Sequence, residues 1–151
     1  MPGPSNEMVH ASAVLVGERA LLIRGPSGSG KSRLAFALLD AARTGILSYA
    51  RLVADDRVKI FTAGGRLLAA APETIRGMIE VRGLGIRRVD CEALALVGLV
   101  VDLAAEDGAR LPETSRGKAE ILGVKVPRLA VATGEEAFPL VIARLSSAAA
   151  I

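Results

Sequence analysis

The stretch LLIRGPSGSGKS, residues 21–32, joins an apolar run to a loop of small residues that ends in Lys31 and Ser32. Its last eight residues match the pattern G-x-x-x-x-G-K-[ST] at every fixed position. From typical residue frequencies, a chance match in a chain of this size has roughly a 1% probability. Apolar residues suited to a strand precede the loop, and residues 31–43 have the pattern of an amphipathic helix. The context therefore predicts a phosphate-binding loop between a strand and a helix.

The chemistry of a phosphate chain explains why the loop contains these residue types. Glycine allows a tight turn and lets backbone N–H groups approach the anion closely. The helix that begins near Lys31 directs its N-terminal amides at the same point. The Lys31 ammonium is expected to reach the β- and γ-phosphates, and the Ser32 hydroxyl to bind Mg²⁺. The residues expected to contact the nucleotide are Gly25, Pro26, Ser27, Gly28, Ser29, Gly30, Lys31 and Ser32.

Strand and helix patterns along the chain predict one α/β or α+β domain. Residues 1–8 contain Pro, Gly, Ser and Asn and are expected to be a disordered lead-in, which leaves the domain at 9–151. The segments 72–89 and 105–118 are predicted to be loops, the first of them around one strand. Strands are predicted at 13–16, 20–24, 51–56, 57–61, 66–71, 94–103 and 126–132, and helices at 31–43 and within 134–150.

The composition excludes several classes of protein. Of the 151 residues, 51% are apolar but only 3% are aromatic, so the core must be built from aliphatic side chains. The net charge is +3 with scattered basic residues, and few aromatic side chains are present to stack on bases, so we expect no nucleic-acid partner. The most apolar window, 93–105, is too short to span a bilayer and contains Asp102. No signal-peptide pattern is visible, and we expect a cytoplasmic protein without a membrane partner.

Two adjacent carboxylates, Asp55 and Asp56, end the predicted strand at 51–56. A carboxylate at a strand end beside a phosphate loop commonly supports Mg²⁺, and Asp55 is expected to do so. Adjacent strand residues point in opposite directions, so Asp56 is free to accept a proton from an attacking hydroxyl. A surface Asp-Asp turn without chemical function is the alternative interpretation.

Glu80 and Arg82 lie two residues apart on the strand predicted within 72–89, so we expect both side chains on the same side of it. A carboxylate that supports a metal and a guanidinium that binds phosphate would together suit phosphoryl transfer. An ordinary ion pair followed by a turn explains the same pattern equally well.

A phosphate loop alone does not distinguish a switch GTPase, a motor ATPase and a small kinase. The sequence contains no N-K-x-D-like motif, with which a GTPase would read its base, and a motor would need a longer chain. The paired aspartates favour a kinase, because one supports the metal and the other can act as a base.

Four motifs occur in the order and approximate spacing of the catalytic domain of bacterial HPr kinase/phosphorylase. They are HASAVLV (10–16), GPSGSGKS (25–32), LVADD (52–56) and IEVRGLGI (79–86). The last is that family's signature and is much more specific than the phosphate loop. The chain resembles the family over roughly residues 9–132. The resemblance implies a P-loop α/β fold with a mixed central sheet, akin to phosphoenolpyruvate carboxykinase, and a homo-oligomer, in the family a hexamer.

The same resemblance implies an activity and the residues that perform it. The family phosphorylates a serine of the phosphocarrier HPr with ATP or pyrophosphate, and removes that phosphate by phosphorolysis, which releases pyrophosphate. Asp56 resembles the base, which becomes an acid in the reverse direction, and Ser32 and Glu80 resemble the Mg²⁺ ligands. Arg110 is similar to a catalytic arginine in a mobile loop. The residues expected to take part in catalysis are His10, Lys31, Asp56 and Arg110, with Arg82 on the transferred phosphate.

His10 is the one histidine of the sequence and directly precedes a predicted strand. A lone histidine more often has a structural role, and its residue type alone would not assign it a function. Because His10 also resembles the family's active-site histidine, we expect it to bind phosphate or to tune Asp56.

The chain departs from the family's pattern in three ways. It has a short lead-in where the family has a separate N-terminal domain, so we expect either a compact single-domain version or an excised catalytic domain. Residues 130–138, AVATGEEAF, are acidic where the family carries a basic element important for dephosphorylation. The helices that the family carries at its C-terminus are short or missing in this chain. The sequence therefore supports kinase activity better than phosphorolysis, metabolite regulation or a full hexamer.

Two other functions stay open at this point. One is a kinase of a small molecule that uses the same loop. The other is a regulatory module that binds a nucleotide without turnover, in which Asp55 and Asp56 are structural.

Overall fold

A mixed β-sheet forms the centre of the computed structural model, which describes residues 6–108 and 117–147. Within those ranges the helices are α1 (Lys31–Arg43) and α2 (Ala137–Ser146), and neither is long and apolar enough to cross a bilayer. The strands are β1 (Asn6–Val9), β2 (Ser12–Val16), β3 (Arg19–Arg24), β4 (Ala50–Ala54), β5 (Val58–Ala63), β6 (Arg66–Ala70), β7 (Met78–Val81), β8 (Gly85–Arg88), β9 (Leu94–Asp102), β10 (Lys118–Ile121) and β11 (Val124–Ala130).

The sheet places β3, the strand before the phosphate loop, in its interior. Nine of the described strands form it, in the order β1-β5-β6-β9-β3-β2-β4, and the hairpin β10–β11 joins β9 through β11. β3 is parallel to β9 and antiparallel to β2, which confirms the mixed sheet that the resemblance implies. β9 pairs with β6 near its beginning and in parallel with β11 near its end. The strands β3, β9 and β11 therefore end at the same edge, where parallel sheets bind ligands.

Apolar residues on both faces of β3 explain its position. Leu21 and Ile23 pack in a cluster with the two helices, whereas Ala20 and Leu22 pack in a second cluster with β5, β6 and the β10–β11 hairpin. Leu38 of α1 belongs to the first cluster and is fully buried, which stabilises the fold by about 1.5–3 kcal/mol. Residues 31–43 form the predicted helix because this buried stripe recurs at helical spacing. The start of α1 is thereby fixed beside the end of β3.

Three segments differ from the predictions. Residues 6–8 belong to β1, an edge strand paired with β5, so the predicted lead-in is wrong for them. The segment 72–89 contains two strands, β7 and β8, which pair as a hairpin across a turn that contains Gly83. β10 is not predicted by the sequence, because its four residues are too few to show a period. In each case the hydrogen bonds of a neighbouring strand stabilise a segment whose own sequence pattern is weak.

Candidate active site

The phosphate loop connects β3 to α1, and its glycines determine its shape. Gly30 precedes the helix at φ 96°, a left-handed conformation that other residues rarely adopt. A Cβ atom at Gly25 would lie 2.5 Å from Ser29 Oγ and 3.1 Å from Leu103 Cβ, which is too close without a shift of the loop. Larger residues at these two positions would therefore distort the loop. Its place at the N-terminus of a 13-residue helix is the one that the sequence predicts.

Two side chains of the loop are suited to bind an anion. Lys31 is 7% exposed, and its Nζ donates hydrogen bonds to the carbonyl oxygens of Gly25 at 2.8 Å and Pro26 at 3.1 Å. Ser29 Oγ is buried and has no hydrogen-bond partner within the described residues. A buried hydroxyl without a partner destabilises a fold by about 1–3 kcal/mol, and a phosphate oxygen in the loop would accept its hydrogen bond. The loop therefore fits a phosphate group.

The Asp55 carboxylate links the phosphate loop to two other elements. Its Oδ1 accepts hydrogen bonds from Ser32 Oγ and from Ser12 Oγ, both at 2.7 Å. Its Oδ2 accepts a hydrogen bond from the backbone N–H of Glu80 at 3.2 Å. Asp55 is only 5% exposed, so these contacts replace most of its hydration. The structure thus brings Asp55, Ser32 and the backbone of β7 together, and Ser12 is a site residue that the sequence does not single out.

Asp56 pairs with His10 and lies beyond the end of β4 at Ala54, so the prediction that the strand at 51–56 includes both aspartates is wrong. Its backbone has φ 70°, a left-handed conformation that turns the chain after β4. Asp56 Oδ1 lies 2.6 Å from His10 Nε2, and the two side chains are 65% and 53% exposed. The backbone N–H of Ala11 donates to the Asp56 carbonyl oxygen at 3.2 Å, which holds the two segments side by side. One aspartate is therefore buried against the loop, and the next is open to solvent beside the histidine.

The Glu80 and Arg82 side chains are exposed, and within the described residues neither forms a hydrogen bond or an ion pair. Glu80 lies on β7, but β7 ends at Val81 and Arg82 is the first residue of the following turn. The prediction that both lie on one strand is therefore wrong for Arg82, because the hairpin turns earlier than the sequence indicates. The structure brings the backbone of Glu80, not its carboxylate, to Asp55. Arg110 lies outside the described residues.

Four charged side chains pack together near the ends of β3, β9 and β11, and none of them is among the predicted site residues. Arg24 donates to Asp102 Oδ1 and Oδ2 at 2.7 and 2.8 Å, and Arg128 donates to Asp102 Oδ2 at 2.5 Å. Arg128 also donates to both carboxylate oxygens of Asp107, at 2.7 and 3.1 Å. We call Arg24, Asp102, Asp107 and Arg128 the charge cluster. It lies directly before the phosphate loop, because Arg24 is the residue before Gly25.

The charge cluster shifts the ionisation of its members. Burial alone would raise the pKa of Asp102, but hydrogen bonds and charges from Arg24 and Arg128 outweigh it and lower that pKa below its usual value. The hydrogen bonds of Arg128 to Asp107, and further to Asp102, raise the pKa of its guanidinium despite burial. Asp102 and Arg128 are therefore both charged at neutral pH. The sequence signal for the cluster is Asp102 itself, a carboxylate within the apolar window 93–105.

A cleft of about 760 Å³ lies elsewhere, between α1 and the segments 48–51 and 88–90. Among the described residues, its lining includes none of the predicted site residues and no glycine-rich loop. Because phosphate chemistry depends on the loop, the paired aspartates and the helix N-terminus, we assign the candidate active site to the phosphate loop and not to this cleft.

Comparison with known protein families gives one match that covers most of the chain. The model of the HPr Serine kinase C-terminal domain matches residues 4–143. The HPr kinase/phosphorylase of Alkaliphilus metalliredigens is 39% identical over an alignment of 127 residues, and the match covers 74% of this chain and 37% of that protein. The HPr kinase/phosphorylase of Caldicellulosiruptor bescii is 36% identical over an alignment of 135 residues, and the match covers 81% of this chain and 40% of that protein. The chain thus spans about two fifths of the length of these relatives.

A solved structure shares the fold. The Hpr(Ser) kinase/phosphatase from Coxiella burnetii superimposes with a TM-score of 0.74 over 93% of this chain and 88% of that chain, at 23% sequence identity. This likeness confirms the expected α/β fold, with its mixed central sheet, over nearly the whole length.

Proposed function

The chain belongs to the HPr Serine kinase C-terminal domain family, and we propose that it is an ATP-dependent kinase that phosphorylates a serine of an HPr-like phosphocarrier protein. One observation carries the proposal. The Asp55 carboxylate is hydrogen-bonded to Ser32 of the phosphate loop, and the next residue, Asp56, presents an open carboxylate beside His10. A serine kinase needs a phosphate cradle and a base next to each other, and this pair of aspartates supplies the link between them.

Asp56 is the proposed base. It accepts the proton of the acceptor serine while the serine oxygen attacks the γ-phosphorus of ATP, and the bond to the β-phosphate oxygen breaks to release ADP. Its exposure suits an acceptor that arrives on another protein, because a buried carboxylate would not be reachable. Lys31, Arg82 and Arg110 are proposed to stabilise the negative charge on the transferred group.

His10 is proposed to orient and tune Asp56. The 2.6 Å distance between His10 Nε2 and Asp56 Oδ1 supports this role over direct phosphate binding, because that nitrogen is already engaged. A histidine held by a carboxylate has a fixed ring orientation, and in turn limits the positions of the carboxylate.

Ser32 and Glu80 are proposed to hold Mg²⁺, with Asp55 as support. Hydroxyl and carboxylate oxygens are the donors that Mg²⁺ prefers, and a bound ion would offset the negative charge of the phosphates. Ser32 uses its proton in the hydrogen bond to Asp55, which leaves its oxygen lone pairs available to a metal. Asp55 therefore acts chiefly through Ser32.

The direct experiment is mass spectrometry of a purified HPr-like protein after incubation with this chain, ATP and Mg²⁺. A mass increase of one phosphoryl group on a serine is expected. The reaction should be repeated with pyrophosphate as the donor. A second incubation with inorganic phosphate tests phosphorolysis, in which phosphate attacks the phosphoserine phosphorus and pyrophosphate leaves. The acidic residues at 130–138 favour the kinase direction.

Two outcomes would contradict the proposal. Transfer of labelled phosphate to a small metabolite, with none to the carrier protein, would indicate a small-molecule kinase. Tight binding of ATP without transfer to either acceptor would indicate a regulatory module. A homo-oligomer is a further prediction from the resemblance, and size-exclusion chromatography with light scattering measures it.

A further inference from the structure

The charge cluster lies where β3 becomes the phosphate loop. Arg24 and Asp102 are the last residues of the parallel strands β3 and β9 and lie opposite each other in register. Asp102 is likewise opposite Ala130 at the end of β11. The Asp102 carboxylate therefore stands between two neighbouring strands and holds one arginine from each.

Backbone contacts connect this carboxylate to the loop itself. The backbone N–H of Leu103 donates to the Arg24 carbonyl oxygen at 2.8 Å, and that of Val131 donates to the Asp102 carbonyl oxygen at 2.8 Å. Gly25 packs so closely on Leu103 that a Cβ atom would lie 3.1 Å from both its Cβ and its carbonyl oxygen. A displacement of Asp102 and Leu103 would thus be passed directly to Arg24 and Gly25, the first residues of the loop.

Charge balance makes Asp102 the central member of the cluster. Arg24 approaches both of its oxygens, and Arg128 approaches Oδ2. Asp102 is 14% exposed as a side chain and Arg24 37%, so the pair is partly shielded from water. Without the Asp102 charge, Arg24 and Arg128 would lose the carboxylate that they share, and their like charges would repel each other. Arg24 would then move away from Arg128. Because Arg24 directly precedes Gly25, this movement would displace the start of the phosphate loop.

We infer that Asp102 is a positioning residue for nucleotide binding, which fixes the start of the phosphate loop by holding Arg24 and Arg128 together. This inference rests on the proposed function, because it requires ATP to bind in the loop. Asp102 does not touch the nucleotide in this role; it acts through Arg24 and Gly25. Small displacements matter here, because hydrogen bonds from the loop to phosphate depend on distance and direction.

The test is Asp102→Asn, which keeps the shape of the side chain and removes its charge. Calorimetric titration with MgATP should give a Kd about ten-fold higher than that of the unmodified chain, which is about 1.4 kcal/mol. Asp102→Glu, which restores the charge, should recover part of the affinity. Ile60→Val is the matched control: Ile60 is buried in the cluster on the other face of the sheet, so this variant lowers the unfolding temperature without touching the loop.

Arg24→Gln is a second variant, which keeps the contact between Asp102 and Arg128 and guards against a poorly folded Asp102→Asn. It should weaken MgATP binding by a similar factor. If the unmodified chain binds MgATP but both variants bind it equally well, with only their unfolding temperatures lowered as in Ile60→Val, the inference is wrong and the cluster is purely structural. If the unmodified chain itself does not bind MgATP, the proposed function fails instead.

Discussion

Replacing Asp56 with Asn should remove the proposed base and leave the backbone and the nucleotide site intact. Asp56 has φ 70°, and Asn is one of the few residues besides Gly that tolerate this left-handed conformation. Alanine would add roughly 1–2 kcal/mol of backbone strain and would mix two effects. Asn also keeps an oxygen atom within reach of His10. The substitution therefore changes the basicity of the side chain and little else.

The structure sets the size of three effects of Asp56→Asn. The side chains of the His10–Asp56 pair are 53% and 65% exposed, and exposed pairs contribute about 0–1 kcal/mol. The unfolding temperature should therefore fall by at most about 4 °C. No residue of the phosphate loop bonds to the Asp56 side chain within the described part of the chain, so the Kd for MgATP should stay within about three-fold. Loss of a general base should lower kcat by about 10²–10⁴, or about 2.7–5.4 kcal/mol of barrier.

The assay is the initial rate of phosphoserine formation on an HPr-like protein, followed by mass spectrometry, with MgATP binding and thermal unfolding measured on the same samples. Asp40→Asn is a suitable control, because Asp40 forms an exposed ion pair with Arg43 on α1 and lies outside the site. A variant Asp56→Asn that transfers phosphate at the normal rate would refute the assignment of the base. A loss of nucleotide affinity as large as the loss of kcat would refute the division of roles, in which Asp55 supports the nucleotide site and Asp56 acts as the base.

Three further predictions concern the site, the charge cluster and the core. Ser12→Ala removes one of the two hydroxyl donors to Asp55 Oδ1 and should lower the rate of phosphate transfer about ten-fold. The rate should be measured over a series of Mg²⁺ concentrations, and an unchanged rate at every concentration would exclude a role for Ser12. The pKa of Asp102 is lower in the folded than in the unfolded chain, so its contribution to stability is complete above about pH 4 and is lost as the pH falls through its lowered pKa. Urea unfolding should accordingly show that the difference in free energy of unfolding between the unmodified chain and Asp102→Asn becomes smaller below about pH 4. A difference that does not change with pH would contradict this. Leu38→Ala, in the core under α1, should lower the free energy of unfolding by about 2–5 kcal/mol. Arg33→Ala, on the exposed side of the same helix, should change it by less than about 0.5 kcal/mol. Equal losses in the two variants would show that the buried contact of Leu38 does not stabilise the helix.

The sequence predicts the elements around the phosphate loop because their signals are local. The glycine pattern, the apolar run of β3 and the helical stripe of α1 each occupy one continuous segment, and the structure confirms all three. Local signals do not distinguish β7 and β8 as two strands. The glycines at their hairpin turn are equally typical of a loop until the pairing of the strands is known. β1 has exposed polar residues and depends on β5 for its hydrogen bonds, which no local pattern indicates.

The contacts of the site are harder to predict than its residues. His10 and Asp56 are 46 positions apart, and their pairing arises from the way β2 and β4 align in the sheet. Arg24 and Asp102 are separated by 78 positions and meet because β3 and β9 are parallel neighbours. Family resemblance names His10 and Asp56 but gives no distance between them, and it does not mention Ser12. Whether Glu80 and Arg82 act on the phosphates stays a prediction for mutagenesis.

The left-handed backbone at Asp56 has a consequence for engineering of this chain. Aspartate tolerates this conformation better than most residues, so the strain that glycine would relieve is below the roughly 1–2 kcal/mol of an ordinary side chain, and the greater flexibility of glycine in the unfolded chain limits the net gain to at most about 0.5 kcal/mol. The substitution Asp56→Gly also removes the carboxylate proposed as the base. Selection for heat resistance alone would therefore favour replacement of the proposed base, and a directed-evolution screen should score turnover in the same round as thermostability.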